Sequence, residues 1–324
     1  MIRVGLALAL LGLVGATALV LYQGASEVLK TFASARWGLL WVALFHVVPM
    51  LGNARAWQVL IPGRGQPSFG FFAWMVWVRE AVNSLLPVAR IGGEVAGAWL
   101  LIGRGVRRRS AVATLVVDMT MSLVSQFAFT LIGVGLLLTH RGEQSFAANV
   151  AVGLLIALPV LAAFGIVQRI GIFGLFARVF RAILGERFDR LVGGAKPLDR
   201  AVHVIYRRPG RIVACGLWQF AGWLVSSGEM WIALCYLGNP VGIGDAVMLT
   251  ALIEAASSSA FLVPGALGVQ EGGFLVLGHV LGLSPEVSLA LALVRRARDV
   301  LVFGPALALW QLGEGRRLIA RRAA

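Results

Sequence analysis

The chain has 324 residues, of which 59% are hydrophobic and 14% charged, and its mean hydropathy is +0.84. Soluble proteins carry about a quarter of charged residues, so this composition excludes a water-soluble globular domain and points to a polytopic membrane protein. The net charge of +14 does not signal nucleic acid, because the arginines gather in a few connections and at the C-terminal end; anionic lipid headgroups are the expected partners.

In chain order, apolar runs long enough to cross a bilayer as helices fall at 4–22, 38–60, 69–86, 110–138, 147–167, 212–237, 245–262 and 286–312. Residues 4–22 exceed a secretory h-region, and Ala33-Ser34-Ala35 lies too far beyond them for a cleavage site. They are therefore read as the first span. Two further apolar segments, 91–103 and 267–281, are too short to cross comfortably, and each follows a Pro/Gly break. The first break carries Pro87, Gly92, Gly93 and Glu94, and the second carries Pro264, Gly265, Gly268 and Glu271, 177 residues later. In hydrocarbon such interruptions persist only where protein or a water-lined cavity receives the freed backbone groups.

The arginine-rich stretches at Arg104 to Arg109, between Arg169 and Arg211, and at Arg316 to Arg322 are placed in the cytoplasm by the positive-inside rule. Both termini are then cytoplasmic, and the two broken pairs enter from opposite faces, as in transporters built from inverted repeats. At the same offset Leu100 matches Leu277, Gly105 matches Gly282, Ala113 matches Ala290 and Val117 matches Val294. The expected fold is an all-α polytopic membrane protein with about eight spanning helices, two short broken or re-entrant helices and an inverted-topology repeat. One transmembrane domain would cover 1–324: an N-terminal helix pair (1–68), a first repeat half (69–167), a basic amphipathic linker (168–211) and a second half (212–324). In the linker Ile172, Phe176, Val179 and Ile183 recur at helical spacing among arginines, as in a helix lying in the headgroup region.

Ionisable residues at membrane depth are the candidate site, since each costs about 2.5 kcal/mol or more at a helix centre unless paired or wetted. They are Arg79, Glu80, Arg90, Glu94 and Asp118 in the first half, and Glu229, Glu254, Glu271, Arg295, Arg296, Arg298 and Asp299 in the second, with Asn83 among them. Spacing of four offers the pairs Arg90 with Glu94 and Arg295 with Asp299. Glu80, Glu229 and Glu254 have no arginine at helical spacing, which makes them candidates for proton coupling or for hydrogen bonding to neighbouring polar groups. Asp118 is expected to pair across helices, and Arg296 either to face the interior or to snorkel to the interface. Arg90, Arg295, Arg298 and Asp299 are the candidate headgroup contacts, oriented by Glu94 and Glu271, the two glutamates lying close together. His46, His140, His203 and His279 are scattered, without metal spacing. Trp37, Trp41, Trp57 and Trp310 read as interfacial anchors. Cys215 and Cys235 are far apart on one span. No catalytic motif emerges, and neither metal nor cofactor is expected.

Asn83-Ser-Leu-Leu-Pro87 through Gly92-Gly-Glu94, and Phe261-Leu-Val-Pro264-Gly through Gly268-Val-Gln-Glu271, followed by Gly282 and Arg295, resemble the flippase-like transmembrane domain of lysylphosphatidylglycerol synthases. Val117-Asp-Met-Thr120 with Ser125-Gln-Phe127 is most similar to the hopanoid-biosynthesis-associated branch, HpnL. Relatives often have an arginine just after the first glutamate, where this chain reads Val95-Ala-Gly-Ala98. The resemblance implies movement of a hopanoid, polyprenyl-linked lipid or phospholipid across a bacterial inner membrane. The competing readings are a scaffold for hopanoid-biosynthesis enzymes and a small-solute transporter.

Overall fold

The structure is a computed structural model that describes residues 25–35, 37–61, 66–86, 92–139, 195–260, 263 and 266–323. The expected spans 4–22 and 147–167, the amphipathic stretch around Ile172 to Ile183, Arg90, His140, Pro87, Pro264 and Gly265 lie outside the described residues. Within them the chain forms ten helices and no strand: α1 Ala25–Ser34, α2 Gly38–Leu60, α3 Phe69–Leu85, α4 Gly92–Gly103, α5 Arg108–Thr139, α6 Ala195–Tyr206, α7 Pro209–Tyr236, α8 Ile243–Ser259, α9 Val269–Val280 and α10 Pro285–Ala323. Two of these, Gly38–Leu60 and Arg108–Thr139, are long and apolar enough by themselves to cross a bilayer. The others are shorter, or long but more polar.

Local signals fix the helix ends. Ser68 accepts the Phe71 N–H at the start of α3, and Ser284 accepts the Val287 N–H at the start of α10. Pro209 opens α7 and Pro285 opens α10, positions where the missing N–H is one of the helix's orphan donors anyway. Pro197 lies inside the first turn of α6 for the same reason. Pro49 and Pro305 stand inside α2 and α10, where each removes a backbone hydrogen bond and loosens the helix locally.

The helices form two runs of five in the same order. In each run a short helix precedes a long one, then helices of 17 and 12 residues, then another long helix. The contacts match as well. α5 packs on α6, α7 and α8 of the second run, while α10 packs on α1, α2 and α3 of the first. Within each run the 17-residue helix packs on the 12-residue helix, which packs on the long helix that follows, and α2 meets α7. Residues identical at the 177-residue offset share roles: Ala113, Ala290, Val117 and Val294 are all buried. Gly105 and Gly282, each two residues past a 12-residue helix, both have positive φ (90° and 71°), a conformation open to glycine at little steric cost.

Two large apolar cores, with two smaller clusters beside them, hold the bundle among the described residues. The first joins Trp57, Phe72, Leu101, Leu115 and Cys215 with Leu198, Val202 and Ile205 of α6. The second joins Leu137, Leu234, Leu249, Phe274 and Leu291. Trp57 is fully buried, which corrects its reading as an interfacial anchor, whereas Trp37 and Trp41 are exposed at the start of α2 as expected. The arginine-rich turns before α5 and before α7 flank the first core, against which Val106 and Ile212 pack. The Arg104 guanidinium, just after α4, sits 5.6 Å from the centre of the Phe71 ring at the start of α3, so the α3/α4 hairpin begins and ends together.

Candidate functional site

Of the charges predicted at membrane depth, all but Arg90, outside the described residues, and Glu271 line one interior cavity of about 420 Å³, to which α2, α3, α4, α5, α7, α8, α9 and α10 all contribute. The matching helices deliver them from matching positions. Glu80 and Glu254 are the twelfth residues of the two 17-residue helices, and Glu94 and Glu271 the third residues of the two 12-residue helices. Asp118 and Arg295 are the eleventh residues of the long helices that follow. Two of the three matched positions are thus acidic on both sides, and the third is an aspartate on one side and an arginine on the other.

On the first side Arg79 is the hub. Its Nη1 donates to Asp118 Oδ2 at 2.9 Å, its Nη2 to Glu80 Oε1 at 3.0 Å, and Glu94 Oε2 lies 3.8 Å from Nη1. The guanidinium also stacks 5.2 Å from the Trp57 ring centre, and the Trp57 indole N–H points to Thr114 Oγ1 at 3.3 Å. Asp118, 1% exposed, accepts a further hydrogen bond from Gln219 Nε2 at 2.9 Å. A carboxylate this buried persists as an anion only with several donors around it, and α3 and α7 supply them.

Asn83 ties α3 to the broken start of α4. The Gly93 N–H donates to Asn83 Oδ1 at 2.9 Å, and Asn83 Nδ2 donates to Glu94 Oε1 at 3.3 Å. One orphan amide of the α4 N-terminus is thereby satisfied. A Cβ at Gly93 would fall 2.2 Å from the Arg79 carbonyl oxygen, so the close crossing of α3 and α4 that presents Glu94 requires glycine there. Gly92 and Gly93 are thus the first residues of α4 and not a gap ahead of it.

On the second side the pairs run across helices. Arg298 donates to Glu229 and lies 2.7 Å from Asp299 Oδ1 through Nη2. Arg295 donates to Glu254. Arg296 reaches Glu271 Oε1 at 3.1 Å. His46 Nδ1 sits 2.8 Å from Glu229 Oε1 and 2.7 Å from Arg298 Nη1, and Gln126 Nε2 donates to Ser258 Oγ at 2.5 Å.

Several sequence expectations are corrected by this geometry. Arg295 does not pair with Asp299 at i,i+4; it turns to Glu254 on α8, and Asp299 is taken by its neighbour Arg298. Glu80, Glu229 and Glu254 all have arginine partners, because a packed bundle brings charges together from helices far apart in sequence. Arg79 bonds the adjacent Glu80 despite facing another direction along the helix, because its long side chain turns back. Between the two readings left open for Arg296 the structure gives the interior, where it lines the cavity and bonds Glu271. His46 belongs to the site. Glu94 and Glu271, expected to work side by side, serve different partners. Glu94 faces the cavity, while Glu271 Oε2 accepts the Gly268 N–H at 2.7 Å, capping α9 where Gly268 has φ 79°. Gln270 lines the cavity beside it. Sequence reasoning missed His46, Trp57 and Gln219, none of which carries a spacing signal.

The chain matches, over residues 4–305, the family described as the lysylphosphatidylglycerol synthase TM region. It belongs to that family. It is similar to a UPF0104 membrane protein of Methanothermobacter thermautotrophicus, with 26% identity over 238 residues that cover 68% of this chain and 69% of the relative. No solved structure matches it. The matched region ends at Pro305 within α10 and includes every charged residue that lines the cavity, so this is a membrane protein, helical among the described residues, whose polar interior lies within the family's transmembrane region.

Proposed function

We propose that this protein moves a lipid between the leaflets of a bacterial inner membrane, its polar headgroup passing through the interior cavity while the tail stays in the bilayer, with no covalent bond made or broken. The observation that carries the reading is the cavity. In a membrane bundle, ten charged side chains face one space of about 420 Å³, within the roughly 300–1,000 Å³ typical of ligand cavities. Charges at that depth mark substrate or ion pathways, because each is costly unless water or a polar guest replaces bulk solvent.

The lining also speaks to the headgroup. Six carboxylates (Glu80, Glu94, Asp118, Glu229, Glu254 and Asp299) face four guanidiniums (Arg79, Arg295, Arg296 and Arg298), an excess of two acids. Glu94 Oε2, Arg298 Nε and the Trp223 indole nitrogen are buried without a hydrogen-bond partner among the described residues. Acceptors and donors side by side suit hydroxyl groups, which serve as both. Arg298 and Asp299 then contact the headgroup with Glu94 orienting it, and Arg295 acts through Glu254. A hopanoid polyol is the first lipid to assay, followed by hydroxylated phospholipids and polyprenyl-linked lipids.

The two helix runs are read as opposed in the membrane, with α3/α4 and α8/α9 as re-entrant hairpins and both termini cytoplasmic. The meeting of Arg104 with Phe71 supports that reading for the first hairpin. In proteoliposomes, dithionite quenching of a fluorescent lipid should proceed beyond the outer leaflet faster than in protein-free vesicles, and Glu94→Ala with Glu271→Ala should slow it at least tenfold. A wild-type rate equal to protein-free vesicles for every lipid tried, or an unchanged rate in the double variant, would sink the proposal.

A further inference from the structure

A second space, of about 520 Å³, lies on the outer side of α2 and α7, bounded by Val48, Leu51, Phe69, Trp218, Ala221 and Val225. It differs in kind from the interior cavity. Its walls are apolar apart from Arg55, and Val48, Phe69 and Trp218 are 52%, 40% and 44% exposed among the described residues. Pro49 and Gly222 line both spaces, so the seam between α2 and α7 is all that separates an apolar groove from the polar interior.

The seam is built unevenly. At one end Arg211 of α7 donates to the Val59 carbonyl of α2 at 3.1 Å, pinning the two helices through one of the four carbonyls that the end of α2 leaves orphaned. At Pro49 the backbone hydrogen bond to the Phe45 carbonyl is absent by chemistry, and the opposing residue is Gly222. A Cβ there would lie 3.0 Å from Asn53 Oδ1 and 3.7 Å from the Pro49 carbonyl oxygen. Gly222 therefore meets α2 through the Asn53 side chain and the Pro49 carbonyl, and adds no side chain of its own at the one level where both spaces meet.

Arg55 supplies the chemistry. Every cavity arginine has a carboxylate within 4.0 Å, whereas among the described residues the exposed Arg55 has Gln58 at 2.5 Å and no carboxylate. A guanidinium left with free N–H groups beside an apolar groove matches a phosphate in a membrane. With the end of α2 at the cytoplasmic face, Arg55 sits about 8 Å in from that end and Pro49 about 17 Å, near mid-depth, by helix rise.

We propose that the α2/α7 groove is a lateral portal that holds a phosphate-bearing membrane lipid, its phosphate on Arg55 and its tail along Leu51, Ala221 and Val225, and that its hydroxylated headgroup passes into the cavity between Pro49 and Gly222. This rests on the lipid-moving reading and narrows its substrate to an anionic lipid over an uncharged hopanoid polyol.

The test uses the full-length protein in nanodiscs containing phosphatidylglycerol with a photoactivatable diazirine acyl chain, adducts being located by peptide mass spectrometry. Adducts should concentrate in peptides covering residues 48–55 and 218–225, and should fall at least fivefold in Gly52→Leu. That side chain would fill the groove without distorting the helix, since the nearest atom to a Cβ at Gly52 is 3.8 Å away. Arg55→Gln should lower the yield severalfold, Arg55→Lys should restore part of it, and an uncharged diglyceride probe should label the groove weakly in all three. Adducts spread evenly over the lipid-facing helices, equal yields in Gly52→Leu, or equal labelling by charged and uncharged probes would overturn the portal. Labelling of the groove in a protein that flips no lipid would leave the portal standing and remove the proposed function; flipping without groove labelling would do the reverse.

Discussion

Arg79→Met keeps much of the side-chain volume while removing a charge that three carboxylates share at 2.9, 3.0 and 3.8 Å. Two effects compete for the size of the loss. If hydrogen bonds between membrane helices set it, each is worth about 0.6 kcal/mol on average and under about 2 at most. If the uncompensated buried charge sets it, removing one partner costs about 3–5 kcal/mol. Asp118 is 1% exposed and Glu94 is buried as well, so neither can relax into solvent, and the second effect should win. Asp118→Asn provides the contrast. Arg79 keeps Glu80 and Glu94, the amide oxygen can still accept from Gln219, and the loss should stay near 1–2 kcal/mol. Unfolding measured by steric trapping in bicelles should therefore place Arg79→Met at least about 1 kcal/mol below Asp118→Asn, about a fivefold difference in equilibrium constant. Equal losses, or a loss under 1 kcal/mol for Arg79→Met, would show that the cluster is wet enough to tolerate the deletion and would refute the reasoning.

Gly93→Ala sets a Cβ against the Arg79 carbonyl and should cost about 1–3 kcal/mol by overpacking. Gly272→Ala, with nothing within 4 Å of its Cβ, should be neutral or gain up to about 1 kcal/mol from helix propensity; the two melting temperatures check the contrast. Glu271→Ala loses the cap on Gly268 and should cost about 0.5–2 kcal/mol, while Glu271→Gln keeps an acceptor and should recover more than half of that in the same melts. Trp57→Phe retains the apolar contact but loses the indole N–H to Thr114 and weakens the stack on Arg79. A loss of about 1–2 kcal/mol is expected, and it should shrink by half or more in an Arg79→Met background.

The extents of the helices were legible because they depend on local chemistry. A run of apolar side chains, a serine or proline at a helix start and a Pro/Gly interruption act within a few residues, and α2, α3, α5, α7 and α8 follow the apolar runs to within a few residues. The matched halves were visible for the same reason: Gly105 and Gly282 keep a backbone conformation that side chains avoid. Partner choice was not legible. Intrahelical spacing offered Arg295 to Asp299, but the bundle gives Arg295 to Glu254, 41 residues away. The Arg298 and Glu229 pair, 69 residues apart, has no sequence signal at all. A lone histidine such as His46 gives no pattern from which a site could be inferred.

By itself the sequence determined that this chain lives in a membrane and where α2, α3, α5, α7 and α8 run, because hydrocarbon penalises every charge and unpaired backbone group wherever it stands. Only the tertiary structure decided which carboxylate neutralises which arginine, and that Glu94 faces a cavity while Glu271 caps a helix. It alone brought Pro49 and Gly222 together as the wall between a polar and an apolar space. Those outcomes depend on distances between helices far apart along the chain, which are set by the close packing of two apolar cores.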